Sequence, residues 1–336
     1  MRVLFLKDDK PGHYNQTEGL LLYLREIFPN LEVEYIEVEI KSKFSRKILR
    51  FLLNNFSSFF KKESRLEYLS FFYKKFELPK KNPDLIISTG GNVSNINAWF
   101  TKAYNSKNIL NGALRGLKEE LFTYVTTVID LGYKNQIILD VAPSLITKEK
   151  LELSANKFLV EKNLSKDTIY YCLLIGGDGA GYKYDDKFYD DSIAFVKNIS
   201  KEKNIKWLVT TSRRTPEKIE EKLKNNLKDF CAYFVDYNKN PQKVMLAFIG
   251  LSERIFVTEE SSSMINEAIS SNKEVYTLRG KFFNPDKNFL ALLNKFESSN
   301  YIKRINNFNF EEDKIKFNNK EVNLKAKILL REKLYE

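Results

Sequence analysis

Short apolar runs, bounded by charged or glycine-bearing segments, alternate with stretches of helical period along most of the chain. Val3 to Leu6, between Arg2 and Lys7, reads as a buried strand. The turn formers Asp8-Asp9-Lys10-Pro11-Gly12 lead from it into a helix through Leu20 to Ile27. Residues 31–40 alternate apolar and acidic in the period of a strand, and residues 83–89 form a β-rich run ending at Gly90-Gly91. A helix from Asn95 to Tyr104 should follow, then strands at 107–111, 123–129 and 136–139. Residues 1–150 are therefore expected to form a parallel sheet covered by helices.

A second series starts after the polar stretch near Glu161 to Lys166, where the apolar run 168–175 enters Gly176-Gly177-Asp178-Gly179-Ala180-Gly181. Helices at 190–203, 216–227, 241–252 and 262–271 alternate with strands at 206–211, 231–235, 254–258 and 274–278, with short connections. The expected fold class is α/β, with two doubly wound, Rossmann-like domains facing a cleft; the second spans residues 165–310. The segment from Asn319 to Leu334 has an amphipathic helical pattern, and a C-terminal helix within 319–336 is expected to pack back across the domains.

Composition agrees with two domains, because 336 residues exceed the roughly 250–300 at which single cores stop growing. A chain 43% hydrophobic and 29% charged, without low-complexity tracts, is globular. The two cysteines, Cys172 and Cys231, sit in apolar segments without CxxC or Cys/His spacing, so buried thiols in a reducing cytosol are expected rather than a disulfide framework or zinc site. The N-terminus lacks the basic start and long apolar region of a signal peptide, and no apolar stretch is long enough for a membrane-spanning helix. The expected location is the cytoplasm, or the inner face of the cytoplasmic membrane as a peripheral protein.

A net charge of +11 favours an anionic partner, although a base composition that inflates Lys and Asn produces the same excess. Binding to nucleic acid would explain the charge but not the glycine-bearing strand ends, and it is not expected. Residues 41–80 form an insertion in which Lys41, Lys43, Arg46, Lys47, Arg50, Lys61, Lys62, Lys74 and Lys75 interleave with Phe51, Phe56, Phe59, Phe60, Phe71, Phe72 and Tyr73. That mixture suits a helix pair lying on an anionic membrane. It suits equally a helical hairpin with an aromatic core and a wet lysine face.

Open α/β sheets bind ligands beyond the carboxyl ends of their strands, where glycine admits a ligand and helix starts offer free N–H groups. Three segments qualify: Pro11-Gly12-His13, Gly90-Gly91 with Ser94, and Gly176 to Gly181. The last lacks the Gly-Lys-Ser/Thr of a Walker motif and the spacing of a dinucleotide fingerprint. Thr210-Thr211-Ser212-Arg213-Arg214-Thr215 places two guanidinium groups at a strand end, which fits an anion site, although Thr215 also suits a cap before Pro216. Val257 to Ala268 reads as strand, serine-rich turn and helix, whose start at Ser261, Ser262, Ser263 and Met264 should bind phosphate. Glu259 and Glu267 there suit hydrogen bonds from sugar or ribose hydroxyls, or else Ser261 is a cap and Glu267 a solvated side chain. His13, the one histidine in the chain, lies beside Asp8 and Asp9 with Asn15 and Gln16 close behind. It suits a general base for an acceptor hydroxyl, or an ordinary polar contact.

Six motifs occurring in order, Pro11-Gly12-His13-x-Asn15-Gln16, Ile87-Ser88-Thr89-Gly90-Gly91, Asn111-Gly112-x-Leu114-Arg115-Gly116, Ile175 to Tyr182, Thr210 to Thr215 and Val257 to Met264, resemble those of the mitochondrial-fission ELM (elongated mitochondria) family. The resemblance runs from the first strand to about Leu278. It implies a nucleotide-sugar glycosyltransferase of the GT-B fold, independent of metal and without a cofactor beyond the donor. The acceptor would be a lipid-linked or other cell-envelope glycan. The second domain would hold the donor, with Gly176, Gly177, Asp178, Gly179, Ala180, Thr211, Ser212, Arg213 and Arg214 near the diphosphate, the Ser261 to Met264 helix start beneath it, and Glu259 and Glu267 near sugar and ribose. The first domain would hold the acceptor beside Gly12, Asn15, Gln16, Gly90, Gly91, Ser94 and Arg115, with His13 and Asp9 catalytic. The Asp8-Asp9-Lys10 sequence departs from the family's Asp-Gly-Lys and stiffens the first turn. The alternative is a non-catalytic descendant, a membrane-associated adaptor or nucleotide-sugar sensor.

Overall fold

A computed structural model of the chain describes residues 1–310, 317–318 and 321–335. The first elements are β1 (Arg2–Lys7), α1 (Pro11–Ile27), β2 (Glu32–Glu37), β3 (Glu39–Ile40), α2 (Lys43–Asn55), α3 (Leu69–Phe72), β4 (Tyr73–Lys75) and β5 (Leu85–Thr89). Next come α4 (Ser94–Tyr104), β6 (Lys107–Asn111), β7 (Tyr124–Thr127), β8 (Gln136–Ile138), α5 (Lys148–Lys162), β9 (Tyr170–Leu174), β10 (Tyr182–Lys183), α6 (Asp186–Lys203) and β11 (Lys206–Thr210). The chain continues through α7 (Glu217–Leu227), β12 (Cys231–Val235), α8 (Met245–Leu251), β13 (Ser252–Thr258), α9 (Ser262–Ile269) and β14 (Glu274–Arg279), and ends with β15 (Phe282–Phe283), α10 (Lys287–Ser298), β16 (Lys303–Asn306) and α11 (Leu324–Tyr335). Two compact units result, one of Met1–Leu145 with Val322–Glu336, the other of Ile146–Glu321.

The first unit is built on a parallel six-stranded sheet in the order β2-β1-β5-β6-β7-β8. Alternation along β1 and β5 divides its core into two layers. Leu4, Leu6 and Ile86 face α4 and the insertion, while Val3, Phe5, Leu85 and Ile87 face α1 and α11. Ala326 and Leu330 of α11 are buried in the second layer. Asn323 anchors that helix by accepting from the Asp140 and Val141 N–H groups and donating to the Tyr23 hydroxyl. The terminal helix thus docks on the first unit; Asn319, Lys320 and Glu336 of the expected segment lie outside the described residues.

The insertion is not a helix pair. Only α2 is a long helix; after it the chain makes two 3-10 turns, the single turn α3, and β4, which pairs with β3. Phe60, Leu66, Leu69 and Tyr73 are buried around Trp99, with the Phe60 and Trp99 rings 4.7 Å apart and edge-on. These tertiary anchors override local helical propensity. Phe44, Phe51, Phe56, Phe59 and Phe71 are exposed.

The second unit repeats the architecture with the parallel order β12-β11-β9-β13-β14-β16. Every residue of β9 is buried, as expected of a central parallel strand covered on both faces. In each sheet the winding direction reverses beside the first strand of its unit: between β1 and β5 in one, between β9 and β13 in the other. Such reversals leave a crevice at the carboxyl strand ends, where ligands bind.

Candidate functional site

In the second unit the reversal joins the segment after β9 to the turn after β13, with the Gly176 N–H donating to Thr258 Oγ1 at 2.7 Å. The glycine segment is a packing device rather than an open cradle. A Cβ at Gly176 would lie 1.6 Å from Glu260 Oε1, one at Gly177 2.1 Å from the Arg214 carbonyl oxygen, and one at Gly179 2.1 Å from Arg214 Nη1. The Gly177 N–H donates to Glu260 and the Gly179 N–H to the Tyr182 carbonyl, while Asp178 accepts from the Tyr184 N–H. Gly176, Gly177 and Gly179 therefore pack against Arg214 and Glu260, Asp178 holds the Tyr184 N–H and Ala180 takes a φ of +47°; none of the five lines the cavity that opens beside them.

Glu260, which the sequence reading passed over, is the carboxylate at this crevice. It accepts from Arg214 Nη2 at 2.9 Å and from the Tyr184 hydroxyl at 2.8 Å. Burial raises its carboxyl above the ordinary value, against the pull of Tyr184 and Arg214. Glu259 turns the other way and is fully enclosed. Arg279 and Arg304 donate to it, as do the Tyr182 and Thr277 hydroxyls. Burial works against ionisation, but Arg304 and Arg279 outweigh it and hold Glu259 below the usual carboxylate range. Glu259 is thus corrected from a ligand contact to a structural ion pair. Adjacent residues at a strand end point to opposite sides, and that period was the one signal that could have separated the pair.

A cavity of about 420 Å³ opens beside Glu260, a size typical of small-molecule sites. It brings together Thr211, Ser212, Arg213, Arg214, Ser261, Ser262, Ser263, Met264 and Glu267, and adds Tyr237 and Gln242. The Thr211 hydroxyl is committed to buried Glu220 and to the Tyr237 N–H, and Thr215 accepts from the Ser212 N–H. These bonds fix the turn and leave Arg213 exposed, with no ion-pair partner among the described residues. Ser261 precedes α9 but its side chain makes no capping bond, so the N–H groups of the first helical turn face the cavity uncapped. Glu267, one helical face further on, is pushed up to about 7 by burial alone. The chemistry available is one cation, a helix start and a carboxyl that accepts or donates near neutrality.

In the first unit the reversal brings together the start of α1 and the turn after β5. Pro11, Gly12 and His13 form the first turn of α1 rather than a loop, with Pro at the position where its missing N–H costs nothing. Asp8, not Asp9, is the partner of His13: Nδ1 lies 3.0 Å from Asp8 Oδ2, and Asp8 is buried while Asp9 is exposed. Burial opposes the Asp8 charge, yet His13 and the Lys10 N–H hold its carboxyl below the usual range. An ionised carboxylate only accepts, so Nδ1 carries a proton, and in the neutral ring the lone pair is then on Nε2.

The His13 ring rests on Gly90, where φ is +94° and a Cβ would lie 2.3 Å from the ring. The Arg115 stem rests on Gly91 in the same way, at 2.8 Å. Gln16 accepts from Asn111, and Ser94 is committed to the Gly91 carbonyl, which makes it a turn-forming residue. Asn15 and Gly12 are exposed and touch none of these groups among the described contacts. Among the described residues no cluster of three His, Cys, Asp or Glu side chains could hold a metal ion.

The sequence pattern of a family described as "Mitochondrial fission ELM1" matches residues 11–323. An uncharacterized protein of Rickettsia prowazekii, RP120, is 21% identical over 320 residues, covering 84% of this chain and 85% of that protein. Among solved structures, UDP-GlcNAc 2-epimerase of Methanocaldococcus jannaschii matches over all of both chains at 12% identity with a TM-score of 0.57. A structure of the same enzyme in complex with UDP-GlcNAc and UDP matches at 13% identity and 0.50, again over all of both chains. MurG of Acinetobacter baumannii matches over 100% of this chain and 92% of that one, at 8% identity and 0.50. The fold is the GT-B type, with two parallel sheets of six strands.

Proposed function

This chain belongs to the mitochondrial fission ELM1 family, and we propose that it is a glycosyltransferase using a nucleotide-linked sugar. The observation that carries the reading is Arg213 standing free beside the uncapped start of α9, in a cavity that Glu267 also lines. A diphosphate there meets a guanidinium and helix N–H groups, which stabilise the charge that develops as it leaves. Glu267 accepts from a ribose or sugar hydroxyl. Further support comes from the fold neighbour whose structure holds UDP-GlcNAc and UDP.

The acceptor reacts at the first unit. The Nε2 lone pair of His13 takes the acceptor hydroxyl proton, and Asp8 steadies the imidazolium that forms. The acceptor oxygen bonds to the anomeric carbon as the carbon–phosphate oxygen bond breaks, and its electron pair leaves on the nucleoside diphosphate. One displacement of this kind inverts the anomeric centre. Glu259 is held by two arginines and offers no free carboxylate to this step.

The acceptor is a lipid-linked or cell-envelope glycan. Exposed Phe44, Ile48 and Phe51 lie at i, i+4 and i+7 on α2, on one face of the helix, with Lys43 and Lys47 beside them. That combination fits the interface of an anionic bilayer. Among the described residues no helix is long and apolar enough to cross a membrane.

The experiment is calorimetry of the purified chain with UDP, GDP, ADP, CMP and dTDP and their sugar conjugates, for the parent and Arg213→Ala. Selective binding of one nucleotide, lost in Arg213→Ala, supports the reading. Absence of binding to all of them overturns it and leaves the adaptor alternative.

A further inference from the structure

One row of α2 runs along the turns after β5 and β6 that carry the first unit's site. Arg46 Nη1 donates to Asn92 Oδ1 at 2.9 Å, Arg50 Nη1 to the Arg115 carbonyl at 2.7 Å, and Asn54 Nδ2 to the Gly116 carbonyl at 2.9 Å. Their i, i+4, i+8 spacing places them on one helical face. Consecutive residues of the turn after β5 thus each carry a basic side chain: His13 on Gly90, Arg115 on Gly91 and Arg46 on Asn92, with Arg50 tied behind Arg115. These contacts converge on three consecutive residues, whose Cα atoms are about 3.8 Å apart.

Always-charged groups gathered at one edge of the sheet repel each other unless an anion joins them. Among the described residues Arg46, Arg50 and Arg115 have no carboxylate partner to offset one another's charge; Arg46 and Arg50 are tied to neutral oxygens of Asn92 and Arg115. Arg115 is the exposed member, and its φ of +50° is a conformation that costs a non-glycine residue energy. Arg50 holds this turn by its Arg115 carbonyl, and the exposed Arg115 side chain crosses Gly91 with its Cδ.

We propose that Arg115, Arg46 and Arg50 form an anion subsite that holds a phosphoryl group of the acceptor beside His13. The inference rests on His13 as the base of the reaction proposed above and names the acceptor class: a hydroxyl compound carrying a phosphate or diphosphate near its reacting oxygen. A bidentate guanidinium fork matches phosphate oxygens, and the other two cations complete the charge.

His13 supplies the test, because the single imidazole of the chain gives one unambiguous NMR signal. Full-length protein labelled at histidine is titrated with inorganic pyrophosphate at fixed pH, and in parallel with phosphatidylglycerol or phosphatidylcholine vesicles. The proposal expects a saturable movement of the His13 Cε1–H signal with pyrophosphate, weakened at least tenfold in Arg115→Ala and in Arg46→Ala and unchanged in Arg213→Ala. If only phosphatidylglycerol vesicles move the signal, again in an Arg115-dependent way, the phosphoryl source is a lipid headgroup and the subsite stands. A signal that neither probe moves, or that moves equally in Arg115→Ala, overturns the proposal. Nucleotide binding that depends on Arg213 but leaves His13 unmoved by phosphate defeats this subsite alone; the reverse result defeats the donor reading alone.

Discussion

The imidazole of His13 and the side chain of Arg115 rest on consecutive glycines, the ring on Gly90 and Cδ on Gly91, although they are contributed by α1 and by the turn after β6. No other residue type fits at Gly90, because φ is +94° and the Cβ position coincides with the ring.

Gly90→Ala should therefore displace His13 as well as strain the turn. The expected loss is about 1–3 kcal/mol of stability by urea titration, with transfer activity reduced by more than tenfold. Unchanged activity would show that His13 need not sit where Gly90 permits.

Asp8→Asn removes the group that fixes the proton on Nδ1. Turnover should fall by roughly 10²–10⁴, the usual contribution of a positioned base, while calorimetry finds nucleotide affinity unaltered. Asp9→Asn, at an exposed position, should leave both unchanged.

Adjacent arginines after β11 should behave oppositely. Arg214→Ala strands the buried carboxyl of Glu260 and is expected to cost about 2–3 kcal/mol in chemical denaturation. Arg213→Ala touches no ion pair among the described residues and should change stability by less than about 0.5 kcal/mol while abolishing nucleotide binding.

Glu267 makes the folded state sensitive to pH. Its carboxyl titrates at about 7 when folded against 4.5 when free, so between these values the folded chain binds more protons than the unfolded one. Stability from this group is full below pH 4.5 and declines as pH rises to about 7. Glu267→Gln should accordingly match the parent near pH 4.5 and exceed it at pH 8 by on the order of 2 kcal/mol in urea titrations. Equal stability of the two proteins at pH 8 would mean that Glu267 ionises freely in the folded chain.

Much of the frame was legible from the chain alone. The burial of β5 and β9 follows from their apolar runs, and the restart at Tyr170 separates two α/β series. Arg213 and the start of α9 could be picked out because each lies within four residues of a strand end, where local pattern decides what faces the crevice, and Glu267 because it lies on the helix that follows. Between Leu278 and the C-terminal helix the sequence pattern assigns no element, and β15, α10 and β16 lie there.

The sequence by itself determined the period of each segment, since that depends on neighbours three or four positions away, and with it the parallel sheets and the helix start at Ser262. The tertiary structure decided which side chains those strand ends spend internally. Glu259 and Glu260 are adjacent and identical in type, yet Arg279 and Arg304, 20 and 45 positions away, claim the first, while Arg214, 46 positions away, claims the second. The glycines at 176, 177 and 179 are filled for the same reason, by Glu260 and Arg214 folding onto them. Likewise α2 divides Arg46 and Arg50 from its exposed phenylalanines only because Leu49 and Leu53 are buried in the core and fix its rotation. A buried charge must find its partner wherever the fold places one, and that distance in sequence carries no local pattern.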